Sequence, residues 1–125
     1  MIFKAISRGD VWIVDFDPAT GHEQQGARPA VVMSSSLMNT ALIGLAIVIP
    51  GTTRARRDAA GQPLPNHFVV EPSKGNGLHN PTFFMGEQIR SVSVERFINR
   101  IGALTPDELF QLEDITILLL DLGPK

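Results

Sequence analysis

The chain has 125 residues, 43% of them hydrophobic, and a formal net charge of −2, which suits one domain over residues 1–125 with a real core. It contains no cysteine, excluding disulfides, thiol chemistry and thiolate metal sites. The opening residues do not read as a signal peptide, and the longest apolar runs, such as 47–49 and 117–120, are too short to cross a bilayer; a soluble cytoplasmic protein with no membrane partner is the expectation.

The first predicted strand covers Asp10 to Asp17, entered by a turn at Arg8-Gly9 and ended by Pro18. Trp12, Val14 and Phe16 form its uniformly apolar alternate set and are predicted to face the core. The polar stretch Gly21 to Ala27 is a glycine-flanked loop, and Arg28-Pro29 stands at the mouth of a second strand, Pro29 to Ser34. One of Ser34, Ser35 and Ser36 is expected to cap a short turn around Leu37 to Ala41. Ile43 to Ile49 is nearly continuous apolar sequence, as in a strand buried on both faces, and Pro50-Gly51 is read as its end.

Thr52 to Pro65 is a loop by its proline and glycine content, with Arg54, Arg56 and Arg57 giving the densest positive charge in the chain. His67 to Glu71 is a short strand, and Pro72 to Pro81 a second long connection. Thr82 to Val94 reads as a long strand or a bent pair with a bulge at Gly86. A further strand covers Arg96 to Gly102. The period then changes. Thr105-Pro106-Asp107-Glu108 combines a capping Thr, Pro at the first helical position and Glu three residues after the cap. Leu109, Leu112, Ile115, Leu119 and Leu122 fall on one face of the helix that follows, and Gly123-Pro124 stops it. Phe110, Ile117, Leu118 and Leu120 widen its apolar surface, which suits a well-buried helix or one that also touches a partner chain. Five to seven short strands closed by one helix fit a small, strongly bent barrel better than a parallel α/β sheet.

Several chemistries lack support. His22, His67 and His79 do not stand at metal-ligand spacing. No phosphate-cradling loop or dinucleotide fingerprint is present, so no cofactor is expected. The serines at 34–36 lack the frame of a nucleophile elbow. Charge is unevenly placed: residues 1–100 hold ten Lys/Arg against eight Asp/Glu, and residues 101–125 hold one against five. The remaining candidate is an anion site built from Arg28, Thr52, Thr53, Arg54, Arg56 and Arg57. Arg28 starts one strand and Thr52 ends another. In an antiparallel sheet those ends meet at one edge, so a guanidinium and a hydroxyl can converge on one phosphate.

At these positions the sequence resembles the MazF/PemK-like toxins, endoribonucleases of bacterial type II toxin–antitoxin systems. The matching features are Arg8-Gly9-Asp10-Val11-Trp12, Val14-Asp15-Phe16-Asp17-Pro18, Gly21-His22-Glu23-Gln24 and Arg28-Pro29-Ala30-Val31-Val32. Val48-Ile49-Pro50-Gly51-Thr52, Glu87-Gln88-Ile89-Arg90 and Arg96 with Ile101-Gly102 follow in family order. The resemblance implies a mainly β fold with a C-terminal helix, an SH3-like small antiparallel barrel of the CcdB/MazF type. It further implies a homodimer, metal-independent cleavage of single-stranded RNA, and neutralisation by an antitoxin whose C-terminal tail covers the RNA groove.

Carried over by residue, Arg28 and Thr52 match the catalytic pair, and Gly21 to Ala27 the loop that opens and closes over substrate. Gln88 and Arg90 match the strand lining the site, although Ser91 and Ser93 stand where Thr and Asp are more usual. Gln24, Thr53 and the loop arginines complete the expected RNA-binding set. The implied reaction is attack of the RNA 2′-OH on the adjacent phosphate, leaving 2′,3′-cyclic phosphate and 5′-OH ends. Arginine is a poor base because it stays protonated, so His22 and Glu23 are the candidates for proton transfer. The rival reading is a gyrase-inhibiting toxin of the same fold, which would not need Arg28 or Thr52. A purely protein-binding barrel is the third.

Overall fold

The computed structural model describes residues 5–23, 25–39, 43–54 and 56–124. Its strands are β1 (Asp10–Asp15), β2 (Ala27–Val32), β3 (Leu45–Thr52), β4 (His67–Val70), β5 (Thr82–Met85), β6 (Arg90–Ser93) and β7 (Phe97–Ala103), followed by helix α1 (Pro106–Leu120). One-turn 3₁₀ segments occupy Gly86–Gln88 and Val94–Arg96. The strands pair antiparallel in the order β4-β5-β3-β2-β1-β7, with β6 also along β3. This is the mainly β fold with a C-terminal helix that the sequence predicts. Among the described residues, β4 and β7 end the series without pairing to each other.

Period-two alternation divides the core in two. Trp12, Val14 and Phe16 are buried as predicted, in one cluster with Ala30, Val32, Val48 and Phe97. Their neighbours Val11, Val31 and Ile49 point the other way and are equally buried, against Phe84, Leu104 and Leu112. Both faces of the central strands are therefore covered, one within the bend of the sheet and the other under α1. Trp12 also meets Phe97 edge-to-face at 5.5 Å, and its indole nitrogen donates to buried Asp10.

Strand β3 does not stop at Pro50-Gly51. Pro50 still pairs with Ala30 of β2, whereas Gly51 and Thr52 pair with Phe84 and Phe83 of β5. Proline is tolerated at strand bends, and Pro50 sits where β3 changes partners. A Cβ on Gly51 would lie 2.5 Å from the Thr82 methyl and 2.9 Å from the Phe84 ring, so only glycine permits this approach. Strand β2 likewise begins earlier than predicted, which places Arg28 within it.

The predicted 82–94 element is a bent pair, β5 and β6, separated by the 3₁₀ turn. Gly86 opens that turn instead of forming a bulge. A side chain there would meet Leu119 at 2.7 Å and Ile115 at 3.0 Å, so its absence lets α1 pack over the turn. The helix starts with the predicted reciprocal cap: Glu108 N–H donates to Thr105 Oγ1 at 3.2 Å, and Thr105 N–H donates to Glu108 Oε1 at 2.9 Å. It ends before Gly123, where Asp121 takes a left-handed conformation with φ 55°. Only Leu112 of the helix is fully buried; Phe110, Leu118 and, just beyond it, Leu122 are 60%, 78% and 65% exposed. Of the two readings of α1, the well-buried helix does not hold. No helix of the described residues is long and apolar enough to cross a membrane.

Candidate active site

A cavity of about 600 Å³ opens where β2, β3, the 3₁₀ turn and the loop after β1 meet. The β2–β3 register explains its two central residues. Val32 faces Val48 and Ala30 faces Pro50; beyond that point Arg28 pairs with Val14 of β1 and Thr52 with Phe83 of β5, so the two residues stand where β2 and β3 part, on the wall of one cavity. Val32 and Ala30 are interior; Arg28 is next in that alternating series, where the strand leaves the core, and is half-buried. The face that is apolar inside the fold thus becomes a cationic wall at its edge.

Arg28 and Thr52 both line the cavity. Arg28 Nε donates to the Gln25 carbonyl at 3.0 Å, which fixes the plane of the guanidinium. Thr52 is buried at 7% exposure, and its Oγ1 accepts the Arg54 backbone N–H at 3.1 Å. With that oxygen already accepting, its own O–H is available to donate.

The loop after β1 supplies a second wall. Its base is closed by Phe16 N–H to the Gly26 carbonyl and Gly26 N–H to Asp17 Oδ1, both 3.0 Å. Gly21 and Gly26 take positive φ, 60° and 75°, the conformation glycine adopts without strain. His22 and Glu23 line the cavity and are exposed. Glu23 Oε1 accepts the Thr20 N–H at 2.7 Å, and Oε2 lies 3.8 Å from Arg90. Gln88, also in the lining, donates from Nε2 to the His22 carbonyl at 3.0 Å. Gln24 lies outside the described residues.

The predicted arginines separate into two settings. Arg54 and Arg56 line the cavity. Arg57 instead lies over the Phe83 ring at 5.5 Å and donates to the Gly61 carbonyl at 3.1 Å, bracing a turn in which Asp58 Oδ1 accepts from Ala60 and Gln62. Arg90 stands behind the loop, over the Phe16 ring at 5.8 Å. Thr53 is exposed and is not among the residues lining the cavity. Among the described residues, no three His, Cys, Asp or Glu side chains gather as a metal-holding group.

Sequence reasoning missed Glu87 as a site residue. It lines the cavity, and its two oxygens are held by Asn66 Nδ2 at 2.7 Å and His67 Nε2 at 3.2 Å. Glu87 was visible as a motif residue beside Gln88, but its bracing partners lie about twenty positions away. Only the His67↔Met85 pairing of β4 with β5 brings the three together.

Residues 7–120 match the family described as PemK-like, MazF-like toxin of type II toxin–antitoxin system. The chain is 35% identical over 119 residues to Endoribonuclease MazF9 of Mycobacterium tuberculosis (strain ATCC 25618 / H37Rv), covering 92% of this chain and 96% of that protein. It is 39% identical over 109 residues to Endoribonuclease toxin ChpB of Escherichia coli (strain K12), covering 83% and 84%. Among solved structures, MazF from Deinococcus radiodurans is similar with a TM-score of 0.77 at 26% identity, covering 93% of this chain and 96% of that one.

Proposed function

This chain belongs to the PemK-like, MazF-like toxins of type II toxin–antitoxin systems, and from that premise we propose that its Arg28–Thr52 pocket cuts single-stranded RNA at specific sequences. The protein is an endoribonuclease toxin. The gyrase-inhibiting alternative is not favoured, since these relatives are named endoribonucleases.

The observation that supports the site assignment is that Arg28 of β2 and Thr52 of β3 line one cavity. The RNA 2′-OH attacks the adjacent phosphorus; the new O2′–P bond forms as the P–O5′ bond breaks, leaving a 2′,3′-cyclic phosphate and a 5′-OH. Arg28, aimed by the Gln25 carbonyl, stabilises the negative charge that builds on the phosphorane. Removing one pre-aimed donor of this kind typically costs about 2.7–4 kcal/mol of barrier. Thr52 donates a hydrogen bond from its hydroxyl to a non-bridging oxygen and fixes the geometry. The 2′-OH proton passes to His22 or Glu23 on the loop, and the 5′-oxygen takes up a proton as it leaves. Gln24, Gln88, Thr53, Arg90, Arg54 and Arg56 serve RNA binding, Arg57 instead holds their loop against Phe83, and the chemistry proceeds without a metal.

The toxin domain spans residues 1–125. The turn of β3 from β2 to β5 supports reading the sheet as a small SH3-like barrel. Two copies form a homodimer, a reading supported by the exposed apolar side chains of α1. The neutralising partner is an antitoxin, as family membership implies, and its C-terminal tail lies over the RNA groove. The test is digestion of a mixed-sequence single-stranded RNA in EDTA. Wild type should leave cyclic-phosphate ends, whereas folded Arg28→Ala and Thr52→Ala should lose nearly all cleavage. Wild-type rates in either variant would move the active site elsewhere.

A further inference from the structure

We propose that Glu87 is the residue with which this pocket reads a nucleobase, selecting at one position beside the scissile phosphate a base with an exocyclic amine over uracil, with buried His67 as its positioning residue. The inference rests on the reading of the cavity as an RNA-cleaving site and adds to it a determinant of sequence.

Arg28, Arg54 and Arg56 share the cavity lining with Glu87. Cations of that kind serve the phosphate chain. A carboxylate does the opposite: it repels phosphate, so its counterpart in bound RNA must be a hydrogen-bond donor. Within RNA the donors are the ribose 2′-OH, which is the same for every nucleotide and at the cut is the nucleophile, and the N–H groups of base edges, which alone distinguish one base from another. Adenine, cytosine and guanine each carry an exocyclic amine, whereas uracil offers carbonyl oxygens and a single ring N–H. Carboxylate side chains pair with base amines on this principle, as with the cytosine amine.

The geometry of Glu87 is that of a fixed reader. Its side chain is 40% exposed toward the cavity, while that of His67 is 1% exposed. His67 Nε2 meets Glu87 Oε2 at 3.2 Å and Asn66 Nδ2 meets Oε1 at 2.7 Å, so both oxygens are oriented and each keeps a lone pair for substrate. His67 makes no other side-chain hydrogen bond: its Nδ1 is buried without a partner. A buried ring committed to one carboxylate at the expense of its second nitrogen is an arrangement that serves the carboxylate's position more than the ring's own stability. The backbone holds the brace in place, with Gly86 N–H donating to the Asn66 carbonyl at 2.9 Å and His67 N–H to the Leu64 carbonyl at 2.9 Å. A pre-positioned acceptor discriminates strongly, because uracil presents its one ring N–H between two carbonyl oxygens, which set negative partial charge against the carboxylate where an amine-bearing edge offers a donor.

The experiment is brief digestion of a random-sequence single-stranded RNA pool, with the cut sites read by sequencing from the new 5′-OH ends. For wild type, uracil should be depleted about 10- to 100-fold at one position flanking the cut, the discrimination of one good base contact. Glu87→Gln, which offers an amide donor as well as an acceptor, should admit uracil at that position and leave preferences elsewhere unchanged. His67→Leu should relax the same position, and His67→Gln, which keeps a donor, should restore much of the preference; circular dichroism verifies folding of each. If His67→Leu fails to fold, the Glu87→Gln profile decides. The inference is overturned if wild type accepts uracil at every flanking position, or if Glu87→Gln keeps the wild-type profile. It is equally overturned if Glu87→Gln binds RNA but yields no cuts, which would make Glu87 part of the reaction. Wild-type cutting by Arg28→Ala is a separate outcome and would count against the site reading instead.

Discussion

The Arg57 guanidinium lies over the Phe83 ring at 5.5 Å, which separates it in function from Arg54 and Arg56 on the same loop. Phe83 is buried in β5, so this contact, with the bond to the Gly61 carbonyl, pins the arginine loop to the sheet. Arg54→Gln with Arg56→Gln should therefore reduce the slope of log affinity against log salt by about 1.4, the share of two phosphate contacts on a single strand. Arg57→Gln should leave that slope unchanged and cost about 0.5–1 kcal/mol of stability, the worth of an exposed cation–π contact. Titrations with a non-cleavable 2′-deoxy oligonucleotide at several salt concentrations, alongside urea unfolding, separate the two effects. A fall of the slope in Arg57→Gln would place that residue on the RNA.

Gln88 links the 3₁₀ turn to the loop after β1 through the His22 carbonyl, 66 positions away in sequence. Gln88→Ala should loosen the loop, raising amide hydrogen exchange at residues 19–23 and increasing KM by about tenfold, as loss of roughly one to two kcal/mol of ordering and contact requires. Unchanged exchange in this variant would mean that other contacts hold the loop.

Gly51 precedes Thr52 at the point where β3 changes partners. Gly51→Ala places a methyl 2.5 Å from the Thr82 side chain. Overpacking of this kind costs about 1–3 kcal/mol, read as a lower urea midpoint at constant slope. Activity should fall as well, because any relief of the clash displaces Thr52. A variant with wild-type stability and rate would show that β3 does not need the close approach.

The exposed side chains Leu118 and Leu122 give the proposed homodimer a direct test. Leu118→Asp with Leu122→Asp removes apolar surface that a second copy would cover, at about 25 cal/mol per Å². Sedimentation should show a folded monomer where wild type sediments as a dimer. A dimeric double variant would assign the contact to another face.

Local chemistry was the legible part of this fold. The Thr105 cap, Pro106 and Glu108 act within one turn, so their spacing alone locates the start of α1. The alternation of Trp12, Val14 and Phe16 is equally local. Pro50-Gly51 misled because residues that ordinarily end a strand here allow it to turn onto β5, which depends on Thr82 and Phe84 far along the chain. The same limit applies to the site. Arg28 and Thr52 stood out because each occurs in a motif, whereas the bracing of Glu87 depends on Asn66 and His67, which no short pattern links to it. The exposure of Phe110 and Leu118 was likewise beyond reach, since an apolar stripe reports what can be buried and not what covers it.

The loop over the cavity is fastened largely through its main chain. Gln88 grips the carbonyl of His22 and Arg28 that of Gln25, and Gly26 closes the base through its own N–H and carbonyl. Every residue type presents a carbonyl alike, so at positions 22 and 25 the clasp is indifferent to the side chain, whereas the positive φ of Gly26 keeps that position for glycine. Position 25 can therefore change without loosening the loop's hold through its carbonyl, whereas position 22 stays tied to the proton transfer proposed for His22, which separates what anchors the loop from what it does.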